Sequence, residues 1–366
     1  VLRRTRELGF AAAGIAPARA AGYGEQFLSW LREGKHGEMD YLQEHTEVRL
    51  QPARITRFSG LSAKDAVMSE QAPREAKSFV VVLDVYQSRE APAATGQTEA
   101  AFGRIARYAR KKNYHDTIKK RLHLLADELR SQFPGEIFRT TVDTAPVMER
   151  ELASLAGLGW QAKNTMLIHR TLGSYAVIGC VATTLDLAAG APAVPETDHC
   201  GTCTRCIDAC PTRAITPYSV DASRCVSYLT IEHRSSIDPS LHSGIGGWLA
   251  GCDVCQEVCP HNSPRDQAAS AGPLDLQSFF DPFDVLRWDE PIRRSKLTGS
   301  ALKRISLPML RRNAIINATN AVLAEQVGDV PSRAEFSTTL GTIAQSENEP
   351  DIVRQTARQS LRRLAD

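Results

Sequence analysis

Eight of the nine cysteines fall between residues 200 and 259, and their spacing restricts this stretch more than any other feature of the chain. They run Cys200-x2-Cys203-x2-Cys206-x3-Cys210-Pro211, then Cys225 alone, then Cys252-x2-Cys255-x3-Cys259-Pro260. The first run is the bacterial ferredoxin pattern for a 4Fe-4S cluster. Its short steps let one loop wrap three thiolates around a cube. The step of three before Cys-Pro sends the fourth thiolate to the other cluster of a pair. By this rule Cys200, Cys203, Cys206 and Cys259 hold one cluster. The second run lacks its first cysteine, because Leu249 stands where it would fall, and Cys225 is the candidate left to replace it. Cys210, Cys225, Cys252 and Cys255 then hold the second cluster. Zinc ribbons also use Cys-x2-Cys pairs, but not this triple with its Cys-Pro closure. Disulfides are disfavoured in a chain that reads as having no export signal. Cys180 lies in an apolar run and is predicted to be a core thiol.

The rest of the chain is too long to serve only as a ferredoxin. Residues 1–188 read as mixed α and β. Phe79 to Tyr86 has the β-branched content of a buried strand, and Phe138 to Thr144 and Ser174 to Thr184 are further strand candidates. Ile118, Leu122, Leu125 and Leu129 recur at helical spacing within 117–132. A second helix is predicted over 147–156, behind Pro146. Ala188 to Pro195 is a Pro/Ala/Gly linker, and Pro264 to Pro273 is another. From Leu302 the chain is helical, with a turn near Gly328 to Pro331. Glu349 to Leu361 resembles the second half of a HEAT repeat. The expected fold is α+β in three parts: a mixed α/β domain over 1–188, a two-cluster ferredoxin-like module over 189–270 and a helical HEAT-like module over 280–366.

The net charge of +2 hides two basic islands. Gly103 to Arg121 holds eight Lys/Arg against Asp116 alone, and Pro291 to Ala324 holds seven with no acid. At +7 each they leave −12 on the remainder, a distribution that suggests a localised polyanionic partner, although charge runs taken by themselves read first as two solvated helix faces. No apolar run approaches the roughly 18 residues of a membrane span. The N-terminus has no apolar stretch of signal-peptide length, so a cytoplasmic protein is expected. Nucleotide-binding fingerprints are absent: Gly244 to Gly251 has the wrong spacing for a dinucleotide loop. There is no Asp-x-His-x-x-Gly, by which many cobalamin proteins supply a histidine to cobalt.

Val142-Asp-Thr-Ala-Pro-Val-Met-Glu-Arg150, Gly157-Leu-Gly-Trp-Gln-Ala-Lys-Asn-Thr165, Cys225-Val-Ser-Tyr-Leu-Thr-Ile-Glu232 and Gly251-Cys-Asp-Val-Cys-Gln-Glu-Val-Cys-Pro260 resemble the epoxyqueuosine reductase family. So do Gly37 to Leu42, Arg107 to His115 and Leu310 to Ala314, in the family's order along nearly the whole chain. One departure is Asn113, where the family has an acid before Tyr-His. The resemblance implies reduction of epoxyqueuosine to queuosine at the tRNA wobble position, using cobalamin and two 4Fe-4S clusters. It places the proton donor on Asp143. Such an acid must be held protonated by desolvation; the bland alternative is an Asx-turn or helix-capping Asp before Pro146.

Tyr108, His115, Asp143, Lys163, Asn164, Thr165, Ser174 and Ser227 are the expected cobalamin contacts, with no protein histidine below cobalt. Glu149 and Arg150 are read as a local helix pair. A tRNA anticodon stem-loop would be gripped by Arg104, Arg107, Arg110, Lys111 and Lys112 at the active-site mouth, and by Arg304, Arg311 and Arg312 farther along the stem. A low-potential electron donor and a monomer complete the expectation. The competing readings are an electron-transfer protein with docking domains and a cobalamin-dependent reductive dehalogenase.

Overall fold

Five consecutive apolar side chains, Phe79 to Leu83, make a strand that must be covered on both faces. It is central in a computed structural model that describes residues 1–58, 74–86, 102–110, 112–189, 194–262, 278–325 and 330–365. Four antiparallel strands, β1 (Ala12–Pro17), β2 (Ser78–Val85), β3 (Phe138–Thr141) and β4 (Ala176–Thr183), form one sheet in the order β1-β2-β4-β3. Phe79, Val81 and Leu83 point to one side together with Cys180, which is a core thiol as expected. Helix α2 (Glu149–Leu155) covers that side with Leu152 and Ala153. Val80, Val82 and Val181 point to the other, under Ile118, Leu122, Leu125 and Leu129 of α1 (Tyr114–Gln132). Both helices pack close. A Cβ on Gly179 would sit 2.8 Å from Ile118, and one on Gly14 would collide with the carbonyl of Ala156.

The element ends differ from the sequence reading for local reasons. Helix α1 starts at Tyr114 because Asn113 caps it, Oδ1 accepting the N–H of His115 at 3.3 Å. Strand β3 stops at Thr141, and α2 starts at Glu149 rather than behind Pro146. Between them the chain closes three-residue turns: Thr144 N–H donates to Val142 O at 2.6 Å, Val147 to Ala145 at 2.8 Å and Glu149 to Val147 at 3.1 Å.

In the cysteine-rich stretch two short helices, Arg205–Asp208 and Val254–Glu257, pack on each other. Beyond it lie α3 (Leu307–Leu323), α4 (Arg333–Gln345) and α5 (Asp351–Ala365). The turn expected near 328–331 falls largely outside the described residues. Helix α3 is apolar-packed on most of its surface, and one core joins it to Ile105, Ala109, Leu249 and Ala250 as well as to α4 and α5. Its polar residues are mortar. Asn313 Nδ2 donates to Thr230 O and Leu249 O at 2.8 and 2.9 Å, and Asn317 Nδ2 to Trp248 O at 2.9 Å. Among the described residues no helix is long and apolar enough to cross a membrane.

Candidate functional site

The cysteines gather into two neighbourhoods, and none of the nine forms a disulfide. Cys200, Cys203, Cys206 and Cys259 line one cavity, with Lys163, Asn164 and His199 around it. Cys252 feels the charge of Cys225 and Cys210, and Cys255 that of Cys252 and Cys225. Among the described residues no three His, Cys, Asp or Glu groups close on a point as a single ion requires. The first four thiols ring a space instead. Backbone amides point at the sulfurs: Ala214 N–H lies 3.2 Å from Cys210 Sγ.

Several residues expected at cobalamin make hydrogen bonds to this module. Lys163 Nζ donates to Gly201 O at 2.5 Å and to Cys203 O at 3.0 Å, tying down the first loop. Buried Asn164 donates to Cys255 O at 3.3 Å. Ser174 is buried in a knot, its Oγ accepting from Gln256 Nε2 at 3.0 Å and Asn262 Nδ2 at 2.8 Å. Ser227 lies in the first turn behind Cys225, where its backbone supports that thiol. His115 touches Asp143, Tyr108 lies beside Tyr114, which donates to the same carboxyl, and the Thr165 carbonyl accepts from Arg150.

Asp143 is the centre of one of the tight turns, with φ +57°, a value a non-glycine residue adopts only when its surroundings hold it. Its Oδ2 accepts from Tyr114 Oη at 3.0 Å and faces His115 Nε2 at 2.8 Å. It caps no helix; α2 has Met148 at its N-cap. Desolvation pushes the Asp143 carboxyl up, yet the hydrogen bonds and charge from His115, with Tyr114, outweigh it and leave it below the ordinary range. That corrects the expectation of a simple desolvated acid. The raised carboxyl is its neighbour. Burial, reinforced by the Asp143 charge, pushes Glu149 up to about 8. Glu149 is no helix-pair partner for Arg150: its Oε1 accepts the Asp143 N–H at 2.7 Å, while Arg150 donates to Thr165 O at 2.5 Å.

Asp143 is 47% exposed although desolvation is the largest influence on it, the combination found on the wall of a deep open cleft. Beside it lies a cavity of about 360 Å³, in the usual range for a small-molecule site. His115 and Lys119 of α1, Thr140 to Ala145 apart from Asp143, and Lys303 and Arg304 line it. Tyr41 and Arg49 belong to the same region, Tyr41 within electrostatic reach of Asp143 and Arg304, and Arg49 of Glu149. Arg49 Nε is buried with no hydrogen-bond partner among the described residues. Burial raises the Tyr108 phenol; Arg304 opposes this, and the charges of Asp143 and Asp253 add to it. Tyr108 thus stands between the cleft and the loop of Cys252 and Cys255.

Part of the basic islands is spent inside the fold. Arg312 is fully buried, donating to Leu229 O, His233 O and Ser235 O at 2.6–2.7 Å, and burial lowers its guanidinium to about 10. It cannot hold a phosphate. Arg311 pairs with Glu349 at 2.6 Å, and buried Arg110 donates to Ile105 O at 2.8 Å. Arg104 lies over Trp248 and pairs with Glu257 at 2.9 Å; Arg107 pairs with the same Glu257 at 2.6 Å. Lys111 lies outside the described residues, and Lys112 is exposed. Arg304 stands at the cavity, paired with Glu232 at 2.5 Å and half exposed. The islands therefore meet at one place, through Lys119, Lys303 and Arg304. The sequence reading missed Tyr41, Arg49, Lys119, Glu149 and Lys303. Only Tyr41, inside the Gly37 to Leu42 motif, and Glu149, inside Val142 to Arg150, had a signal beyond charge.

Two family profiles match the chain: a 4Fe-4S double cluster binding domain over residues 199–262, and epoxyqueuosine reductase QueG, DUF1730, over 69–144. The epoxyqueuosine reductase of Burkholderia pseudomallei is 37% identical over 338 residues, covering 89% of this chain and 82% of that protein. That of Leadbetterella byssophila is 38% identical over 319 residues, 84% of this chain and 93% of its own. A solved epoxyqueuosine reductase with a tRNA-Tyr epoxyqueuosine-modified stem loop superposes with a TM-score of 0.80 at 25% identity, covering 100% of this chain and 89% of that one. The Streptococcus thermophilus epoxyqueuosine reductase does so at 0.78 and 25%, covering 98% and 88%.

Proposed function

Since the chain belongs to the epoxyqueuosine reductase family, we propose from that premise that it reduces epoxyqueuosine to queuosine in tRNA, an oxidoreductase carrying a double-cluster 4Fe-4S domain. The observation that carries the reading is Asp143, strained and hydrogen-bonded, at the edge of a cavity with three cationic side chains and next to the cysteine module. Epoxide oxygen is a poor leaving group unless protonated, and Asp143 is the group poised to protonate it. Lys119, Lys303 and Arg304 would meet the phosphates around an unpaired wobble nucleoside, which needs no duplex opening to enter a pocket.

The donors grouped around Asp143 and Glu149 suit cobalamin: Arg49, with its unpartnered Nε, Arg150 and Tyr108 would meet the amides and phosphate of a corrinoid. Bound there, cobalamin would supply low-potential electrons to the substrate. Cys200, Cys203, Cys206 and Cys259 would hold one cluster and Cys210, Cys225, Cys252 and Cys255 the other, fed by a low-potential donor to a cytoplasmic monomer. Tyr108, beside Tyr114 and packed on the core that includes Cys225 and Cys252, supports a route from the second group to the cleft.

The test is anaerobic incubation of the reduced, reconstituted protein with epoxyqueuosine tRNA, followed by nucleoside mass spectrometry. Conversion to a nucleoside lighter by one oxygen is expected. Clusters that reduce and reoxidise while the nucleoside stays intact would make the chain an electron carrier instead.

A further inference from the structure

The hydrogen bonds behind Asp143 restrict where protons can sit. Asn113 Oδ1 accepts the backbone N–H of His115 at 3.3 Å and lies 2.8 Å from its ring Nδ1. The amide cannot be turned round, because Asn113 Nδ2 donates to Asp116 Oδ2 at 3.1 Å. Ring Nδ1 must therefore carry a hydrogen. The other ring nitrogen, Nε2, lies 2.8 Å from Asp143 Oδ2, an oxygen that Tyr114 also donates to. A hydrogen bond there needs one more hydrogen. On Nε2 it makes an imidazolium facing a carboxylate; on Oδ2 it makes an acid facing a neutral ring. In either form the pair holds one proton more than a neutral ring and an ionised carboxylate would hold apart. Stacking on Tyr114, with ring centroids 4.1 Å apart, fixes the plane of the imidazole.

We propose that His115 and Asp143 act as one unit that stores a transferable proton, with Asn113 and Asp116 as the positioning residues that set the tautomer of the ring. This rests on the reading of Asp143 as proton donor given above. It also removes the difficulty of a donor whose carboxyl is held low. Taking the epoxide oxygen out as water consumes two electrons and two protons: both C–O bonds break, a C=C bond forms, and the oxygen leaves with both protons. The electrons come from the reductant of the proposed reaction. Asp143 delivers the first proton as the Nε2 hydrogen passes to it, which leaves the ring neutral with its hydrogen on Nδ1. Water in the cavity that His115 lines returns a proton to the pair, and the second delivery follows the same route.

Nitrogen-15 histidine NMR on the full, cluster-loaded chain at neutral pH, without tRNA, tests the storage directly. His115 should show Nδ1 protonated and a shared hydrogen at Nε2; in Asp143→Asn the hydrogen at Nε2 should be lost and that on Nδ1 kept. A wild-type ring protonated on Nε2 alone would overturn the proposal. Kinetics supply a second readout. His115→Gln still donates to Asp143 but carries no mobile proton, so kcat should fall about 10²-fold, the lower end of general acid catalysis, with KM for tRNA unchanged. Asn113→Ala should lower kcat likewise, and Asn113→Asp, which keeps an acceptor facing Nδ1, should restore most of it. Wild-type kcat in His115→Gln, or equal defects in both Asn113 variants, would reduce these residues to helix capping. The NMR result decides the protonation state even if epoxyqueuosine is not the substrate, so the two readings fail separately.

Discussion

The cysteine module and the Asp143 cleft lie side by side, linked through Tyr108, yet they are specified in opposite ways. In the module most ligand candidates stand three or four residues from the next, so a loop and one turn of helix suffice to aim them. In the cleft His115 and Asp143 are 28 residues apart and meet only because α1 packs on the sheet beside β3. Tyr41, Arg49 and Arg304 come from still more distant segments. A local site is insulated from changes elsewhere; an assembled one inherits every error in packing. Damage to one should therefore leave the other measurably intact.

The largest expected effect breaks the module. Cys225→Ser should lower the iron content from about eight to about four atoms per chain, since one of two cubes loses a ligand. Iron analysis and EPR of the reduced protein check this; two intact cubes would show that the isolated cysteine is not a ligand. Next comes the cleft. Asp143→Asn should keep its iron and its tRNA affinity while single-turnover conversion slows about 10² to 10⁴-fold.

The third comparison sets buried against exposed basic residues. Arg312→Met should destabilise the fold by roughly 3 kcal/mol or more, because three buried carbonyls lose their donor at about 1–3 kcal/mol each, yet leave the salt dependence of tRNA binding unchanged. Replacing Lys303 and Arg304 with alanine should do the reverse, lowering the slope of log affinity against log salt by about 1.4. Urea melts and a salt titration of stem-loop binding separate the two; equal slopes would return Lys303 and Arg304 to the solvated surface.

The smallest effect is a pH dependence. Folded Glu149 titrates near 8 against an ordinary 4.5, so between those values the folded state keeps a proton that the unfolded state has released. Stability therefore falls as pH rises through that window. Glu149→Gln abolishes this loss, and its Tm advantage over wild type should grow from about pH 5 to about pH 9 in thermal melts. A constant difference would mean that Glu149 is ionised throughout.

Much of the fold is legible in the sequence alone. Cysteine spacing is a statement about short loops, and the apolar runs at 79–86 and 118–129 are statements about local period, so both survive into the structure with only their ends moved by Asn113 and by the turns before Glu149. Charge was legible only as an inventory. Arg311, Arg312 and Arg304 look alike in the sequence, but one is paired with Glu349, one is sealed among carbonyls under α3, and one stands half exposed at the cavity. That Lys163 and Asn164 bond the loop carbonyls of Gly201, Cys203 and Cys255 was likewise invisible in the sequence. Asp143 could be singled out by its motif, but not its state, because that depends on Tyr114 and His115 arriving from α1. Composition and spacing set which groups the chain owns and which near neighbours can cooperate. Packing decides which of them keep water, which lose it, and which find a partner far along the chain, and those three conditions set whether a charged side chain binds, catalyses or only holds the fold together.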